Sequence, residues 1–511
     1  MDFYSRAELC SQMPAHVNFL AFDLGAESGR AMLGRFDGAR LAFEEVHRFP
    51  NSPVRVLDSL HWDVLRLFGE LKRGLAAGAK QAGGGLASAG VDTWGVDYAL
   101  LGADGALLEN PYHYRDSRTD GVMEKLLATV PREEVFERTG IQFLRLNTLY
   151  QLYALKLQRP HVLERSHTLL MMPDLFHYWL TGRAVSEYTI ATTTQFYDPR
   201  CGLWARDLLE KLHLPVRILP GIVPPGTQLG PLLPSVAAEA GIQPMPVIVP
   251  ACHDTGSAVA AVPAQPGGDW AFLSSGTWSP LGVELPAPII NGAALALNFT
   301  NEGGAWTTTR LLKNLTGMWL FEECRREWAR EGMPTGYQGL CEAALAADPF
   351  RSIIDPDDPM FLTPGGMPGK IVTFCRRTGQ PVPEDQGAFT RAIFESLALS
   401  YRSALDELRQ ILGRNLRTLH IVGGGSRNPL LCRFTADATG CEVLAGPEEA
   451  TAIGNVLLQA MALGYVGTPV EARDLVRRSF PPKRYDPARR ERWNEAAARR
   501  RDLITRAAAA S

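Results

Sequence analysis

At 511 residues, with 46% hydrophobic and 21% charged residues, the chain is too long for one core and too apolar for disorder, so two large domains are expected. A formal net charge of −3 gives no global bias toward nucleic acid, and no apolar run is long enough to span a bilayer, so neither a nucleic acid nor a membrane is an expected partner. Eight scattered cysteines (Cys10, Cys201, Cys252, Cys324, Cys341, Cys375, Cys432, Cys441) form no C-x-x-C pair, which argues against a zinc centre or disulfide framework and fits free thiols in a reducing cytosol.

Met1–Pro14 has no apolar core of a secretory leader and reads as a loose extension. Asn18–Asp23 is an apolar run ending at an acid and a glycine. It reads as a strand returning through Arg30–Arg35 around the turn Gly25-Ala26-Glu27-Ser28-Gly29, with Leu41–His47 as a third strand. Asp63–Gln81 carries apolar residues at helical spacing. Gly90–Asp97 is a second strand-and-turn unit, and helices are expected at Met123–Thr129, Thr148–Gln158 and Leu175–Leu180, the last closed by Gly182. The apolar run Pro246–Ala251 leads into His253-Asp254-Thr255-Gly256-Ser257. This sets the Asp254 carboxylate in a turn of small residues, as a turn or cap residue or as an acceptor for a substrate hydroxyl proton.

Pro263-Ala264-Gln265-Pro266-Gly267-Gly268 is the expected linker. After it the opening pattern repeats: strand Trp270–Ser274, turn Ser275-Gly276-Thr277, return strand Leu281–Glu284. The repetition suggests two domains of one design. Thr418–Val422, Gly423-Gly424-Gly425, Asn428–Thr439 and Glu442–Leu444 form a strand–turn–helix–strand succession typical of α/β layers. Ala450–Leu463 is a further helix. Pro487–Ala510 is an Ala- and Arg-rich helical tail whose charges read as a solvated face. The expected division is an extension at 1–14, domains at 15–263 and 264–485, and the tail helix at 486–511. No coiled coil or dominant apolar stripe appears, so a monomer or small homo-oligomer is expected.

Three turns suit a nucleotide. In Asp23–Arg30, Gly25 and Gly29 permit backbone N–H groups to converge on an anion, Ser28 adds a hydroxyl, Arg30 a cation, and Asp23 a route to a metal through water. A plain hairpin with Arg30 exposed is the alternative. Ser275-Gly276-Thr277 is a second such turn. Gly423-Gly424-Gly425 lacks side chains, so a base or phosphate can approach its backbone, although a flexible connection fits equally. Gly369-Lys370 is followed by Ile371, so there is no Walker loop, and no dinucleotide fingerprint or His-Glu-x-x-His occurs. His113 and His253 lack metal-ligand spacing. Trp94 and Trp278 read as core rather than as platforms for a ligand ring.

Taken together, DLGAESGR (Asp23–Arg30), VDTWGVD (Val91–Asp97), YRDSRT (Tyr114–Thr119), GIQF (Gly140–Phe143), NTLYQL (Asn147–Leu152), MPD (Met172–Asp174) and LTG (Leu180–Gly182) form one ordered series. It continues through HDTGSA (His253–Ala258), LSSGTWS (Leu273–Ser279), TNEGG (Thr300–Gly304), Lys313-Asn314 and HIVGGG (His420–Gly425). This series resembles the FGGY carbohydrate kinases of the actin-like ATPase superfamily, in order and over nearly the whole chain. The resemblance implies an α/β fold of two ribonuclease-H-like domains around a central cleft, a mixed five-stranded sheet in each, with the sugar on the side of the first domain and the nucleotide on the second.

It also implies roles. Asp254 would be the catalytic base, with Gly95, His253, Thr255 and Asn314 at the sugar. Ala26, Glu27, Ser28, Gly29, Arg30 and Thr277 would face the ATP phosphates and Gly424 the adenine side. Glu322 stands where the family pattern has a glutamine near the nucleotide, and Asp23 would anchor Mg²⁺ through water. Arg115, Asp116 and Arg118 resemble the sugar-side loop, with a surface ion pair as the alternative. TWGVD, YRDSRT and NTLYQL together point to members that phosphorylate the 1-hydroxyl of L-rhamnulose in a cytoplasmic catabolic route, with L-fuculose or L-xylulose as alternative ketoses. A non-catalytic sensor of the same superfamily is the rival from another class.

Overall fold

The computed structural model describes residues 16–509 apart from 84 and 266; the extension expected at Met1–Pro14 lies outside them. The chain forms two compact units, one of Met1–Pro266, Glu284–Leu311 and Glu449–Pro481, the other of Gly267–Val283, Leu312–Glu448 and Pro482–Ser511. Two later segments, Glu284–Leu311 and Glu449–Pro481, pack with the first unit. Among the described residues no helix is long and apolar enough to cross a membrane.

The first unit is built on strands β1 (Val17–Leu24), β2 (Ser28–Phe36), β3 (Leu41–Pro50), β4 (Ser88–Thr93), β5 (Gln228–Pro231) and β6 (Pro246–Ile248), in the order β5-β6-β4-β1-β2-β3. β1, β2 and β3 form an antiparallel meander, while β4 runs parallel to β1, and β6 parallel to β4. β5, antiparallel to β6, adds a sixth strand beyond the expected five. Helix α1 (Val64–Gln81) begins where the Asp63 side chain accepts from Arg66 N and buries Val64, Leu67, Leu71 and Leu75. Its glycines set how closely it lies on the sheet: a Cβ at Gly74 would reach Phe22 at 2.6 Å, and one at Gly78 would reach Leu20 at 2.6 Å.

The helix Ala450–Ala462 also belongs to this unit. It is apolar nearly all round, as its burial requires, yet carries two amides inward. Gln459 Nε2 donates to Leu20 O at 3.0 Å and Gln459 Oε1 accepts from Ser88 Oγ at 2.7 Å, while Asn455 Nδ2 donates to Asp92 Oδ2 at 2.6 Å.

The second unit repeats the central plan. β7 (Trp270–Ser274) pairs antiparallel with β8 (Leu281–Leu285) and parallel with β9 (Thr418–Val422), which runs parallel to β10 (Glu442–Ala445). β11 (Lys483–Tyr485) closes the edge antiparallel to β10. A hairpin followed by two parallel strands is therefore common to both units, as the echo between residues 19–34 and 270–284 predicts. The helix Arg490–Ala509 makes up the tail.

Candidate functional site

In the first unit the chemistry collects where β1, β4 and β6 end. Asp23 on β1 and Asp92 on β4 stand in register, and the bridge Thr93–His253 places the next stretch beside them. Arg30 Nη2 pairs with Asp23 Oδ2 at 2.5 Å and its Nη1 with Glu449. Burial opposes the Arg30 charge, but these two carboxylates outweigh it and hold the guanidinium firmly protonated. Arg30 is thus neither free nor merely exposed.

The turn between β1 and β2 is closed by Gly25 N donating to Ser28 O at 3.0 Å, and Asn51, just past β3, staples it, its Nδ2 donating to Gly25 O at 2.7 Å and its N to Glu27 O at 2.9 Å. Neither Gly25 nor Gly29 has positive φ, and a Cβ at Gly29 would lie 2.2 Å from the Phe49 ring. Glycine at 29 is required by that ring's approach. Ala26, Glu27 and Ser28 remain half-buried at the tip.

Asp254 is not in a turn but is the first residue of helix α2 (Asp254–Ala260), with His253 as its cap position. The small residues Thr255, Gly256, Ser257 and Ala258 are buried and let this short helix pack closely on the helix Ala450–Ala462. Thr255 donates both N (2.5 Å) and Oγ1 (3.1 Å) to Asp254 Oδ1, and His253 Nε2 lies 3.5 Å from the same oxygen. Among the described residues, the contacts on this carboxylate fall on Oδ1, which leaves Oδ2 for a ligand. The side chain keeps 29% of its surface open. Burial raises its carboxyl above the ordinary value; the neighbouring His253 opposes this and Asp23 adds to it.

Gly95 is brought against His253, since a Cβ there would lie 3.3 Å from Nε2. On its other side His253 meets Arg310, whose Nη2 is 3.1 Å from Nδ1, and Glu302, whose Oε2 is 3.2 Å from Nδ1. Asp92 is fully buried with Oδ1 unpartnered, and burial together with the charges of Asp23 and Asp254 pushes its carboxyl well up.

A network of buried polar groups supports this stretch. Glu187 Oε2 accepts from Cys252 N at 3.0 Å and from Thr189 Oγ1 at 2.6 Å, and Thr189 Oγ1 accepts from His253 N at 3.1 Å. Burial pushes Glu187 up to about 7. Ligand atoms of Asp174, His177 and Cys252 lie within 4.8 Å of one another. Both Asp174 oxygens already accept, from Ser186 Oγ and Glu187 N, and His177 Nε2 accepts from Val91 N. The cluster is a structural network already supplied with partners.

The TWGVD turn holds Val96 at φ 66°, a conformation costly for a β-branched residue. It is held there by Thr193 Oγ1, accepting from Val96 N at 3.2 Å, and Thr148 Oγ1, donating to Val96 O at 2.6 Å. Trp94 is core, its ring 4.1 Å from that of Trp62 and tilted by 36°; both indole nitrogens donate to Asp97 Oδ2. Asp116 is buried and Arg118 half-buried with inward partners: Arg118 Nη2 donates to Gln151 Oε1 at 2.7 Å and Asp116 Oδ2 accepts from Leu60 N at 2.7 Å.

Burial pushes Asp97 up to about 6, against the lowering effect of Trp62, Gln151 and Trp94. Between the usual carboxylate range and pH 6 the folded chain therefore keeps a proton that the unfolded chain has released, and this group's contribution to stability falls as pH rises through that window. Urea midpoints at pH 4.5 and 6.5 are expected to show a downward contribution that Asp97→Asn removes.

In the second unit two glycine-rich turns meet. Ser275 N donates to Val422 O and Gly425 N donates to Ser275 O, both at 2.9 Å. The three glycines of residues 423–425 do different work: Gly423 has φ 81°, a Cβ at Gly425 would strike Ser275 Oγ at 2.0 Å, and Gly424 faces open space. Thr277 O accepts from Gly317 N at 3.1 Å, and Met318 N donates to Gly276 O at 2.8 Å, fixing the start of the helix that carries Glu322. Glu322 is paired with Arg325 at 2.8 Å. Asn314, half-buried, follows the strand Thr309–Lys313. Thr277, Gly424, Glu322 and Asn314 thus belong to a different compact unit from Asp254.

Asp92, Glu302, Arg310, Glu187 and Asn51 were not singled out from sequence. Asp92 and Glu302 lie inside motifs already noted; the others carry no local signal.

Comparison with known proteins matches residues 18–261 to the N-terminal domain, and residues 271–463 to the C-terminal domain, of the FGGY family of carbohydrate kinases. The chain is 47% identical over 479 residues to a rhamnulokinase of Bacteroides thetaiotaomicron, covering 94% of this chain and 98% of that one. It is 43% identical to one of Halalkalibacterium halodurans, covering 92% and 99%. Among solved structures it resembles a ligand-bound xylulose kinase of Lactobacillus acidophilus (TM-score 0.76, 16% identity, 96% of each chain). It also resembles an ADP-bound glycerol kinase of Plasmodium falciparum (TM-score 0.77, 13% identity, 96% and 98%).

Proposed function

The chain belongs to the FGGY family of carbohydrate kinases, and from that premise we propose that it transfers the γ-phosphoryl group of ATP to the 1-hydroxyl of L-rhamnulose in the breakdown of L-rhamnose. The substrate rests on the 47% identity, over nearly full length, to a relative that bears that activity in its name. The chemistry rests on one observation: an Asp254 carboxylate with one oxygen saturated by its own chain and the other open.

Oδ2 of Asp254 takes the proton of the 1-hydroxyl as that oxygen bonds to phosphorus and the bond from phosphorus to the bridging oxygen of ADP breaks. Phosphoryl transfer demands little of a base beyond orientation and late proton acceptance. His253 and Thr255 hold the carboxylate, and Gly95 leaves room beside the imidazole. Thr277 and the side-chain-free Gly424 serve the nucleotide, with Ala26, Glu27, Ser28, Gly29 and Arg30 as further candidates on the phosphate side. Glu322 is a weaker candidate, since Arg325 engages it.

Magnesium fits the residues present. Asp23 and Asp92 are hard oxygen donors, and Asp92 Oδ1 is a buried carboxylate oxygen without a partner. When bound, an ion held by Asp23 and Asp92 would neutralise phosphate charge.

ADP release with MgATP is measured across L-rhamnulose, L-fuculose, L-xylulose, D-xylulose, L-ribulose and glycerol. L-Rhamnulose is expected to give a kcat/KM well above the rest. Preference for another ketose moves the substrate, and no activity from folded, nucleotide-binding protein overturns the proposal. Gly424→Ala tests the nucleotide side. With open space at that Cβ, stability is expected to stay within about 0.5 kcal/mol while the KM for ATP rises several-fold; an unchanged KM would remove Gly424 from the site.

A further inference from the structure

His253 has two neighbours that make opposite demands on one ring nitrogen. Arg310, fully buried, places Nη2 3.1 Å from Nδ1, and its Nε donates to Gly303 O at 2.7 Å. Glu302 Oε2 lies 3.2 Å from the same Nδ1 and 3.3 Å from Arg310 Nη2. A carboxylate only accepts, so pairing with it would need a proton on Nδ1. A guanidinium only donates, so pairing with it needs a bare Nδ1. Arginine does not release its proton, and a buried guanidinium without a counter-charge is strongly unfavourable. The charge of Glu302 is therefore committed to Arg310, and the ring nitrogen is left to accept.

We infer that Arg310 is a positioning residue that fixes His253 in the tautomer with Nδ1 bare and the proton on Nε2. That N–H then lies 3.5 Å from Asp254 Oδ1, on the side that Gly95 leaves clear. It adds a donor to the oxygen already taken by Thr255 and reserves Oδ2 for the incoming proton. Its catalytic meaning rests on Asp254 as the base; the tautomer itself does not.

The test is a long-range ¹H–¹⁵N spectrum of full-length protein labelled with ¹⁵N-histidine. The chain has ten histidines, and His253 is assigned by the resonances lost in His253→Gln. An unprotonated Nδ1 with a protonated Nε2 is expected. A proton on Nδ1, or on both nitrogens, overturns the inference whatever the activity. A bare Nδ1 in a protein that turns over no sugar upholds it while overturning the reading of Asp254. Arg310→Met is expected to move the proton to Nδ1, toward Glu302, and to lower kcat with the KM for ATP unchanged. An unmoved tautomer there removes Arg310 as its cause. Should that variant fail to fold, Arg310→Met with Glu302→Gln leaves no buried charge unpaired. Loss of the single tautomer is then expected, and its retention overturns the inference.

Discussion

Asp254→Asn is expected to lower kcat by about 10³-fold, within the range that a positioned base contributes, while folding and nucleotide binding are kept. Asparagine has the carboxylate's shape. Its carbonyl can take the place of Oδ1 and go on accepting from Thr255 N and Oγ1. Its amide then stands where Oδ2 faced the sugar, offering hydrogens where a proton must be received. The folded state should not suffer, because burial raises the Asp254 carboxyl and a neutral amide escapes that penalty. Measuring ADP release at saturating sugar, with calorimetric nucleotide binding as the control, checks this. Turnover near the wild-type rate would remove Asp254 from the chemistry.

Gly454→Ala is expected to destabilise the first unit by about 3 kcal/mol, at the severe end of overpacking. A Cβ at this position would lie 1.8 Å from Ser257 O and 2.5 Å from Ser257 C. Both are backbone atoms, so no rotamer relieves the overlap and the helices Ala450–Ala462 and α2 must part. Alanine is the better helix former by about 1 kcal/mol, so local propensity alone predicts a gain. Gly69→Ala within α1, with nothing within 4 Å of its Cβ, is the matched control and should show that gain. Urea unfolding compares the two signs. Because Ser257 shares its helix with Asp254, Gly454→Ala should also lose activity before it unfolds.

Much of the plan was legible because its signals are local. Short apolar runs stopped by glycine turns marked β1, β2, β7 and β9, and a carboxylate among small residues marked Asp254. The remainder depends on partners distant in sequence. Gly29 reads as a source of backbone freedom until Phe49 is seen against it. Gly454 reads as a weak point in a helix until Ser257 is seen beneath it. Arg310 sits in a strand pattern where an arginine is expected outside, and only the meeting with Glu302 and His253 explains its burial. The division at 263/264 followed a real Pro/Gly signal, but nothing local shows that residues 449–481 pack with the first unit.

That return has a bearing on how the protein is made. A ribosome must produce most of the second unit before it reaches Glu449–Pro481, the last part of the first. Until then one face of the sheet lacks the helix Ala450–Ala462, the Leu20 carbonyl lacks Gln459, and Asp92 lacks Asn455. The half synthesised first is thus completed late, and a nascent chain carries an uncovered apolar surface through most of its translation, a burden for chaperones. Prematurely terminated chains should be cleared by proteases and not persist as half-enzymes.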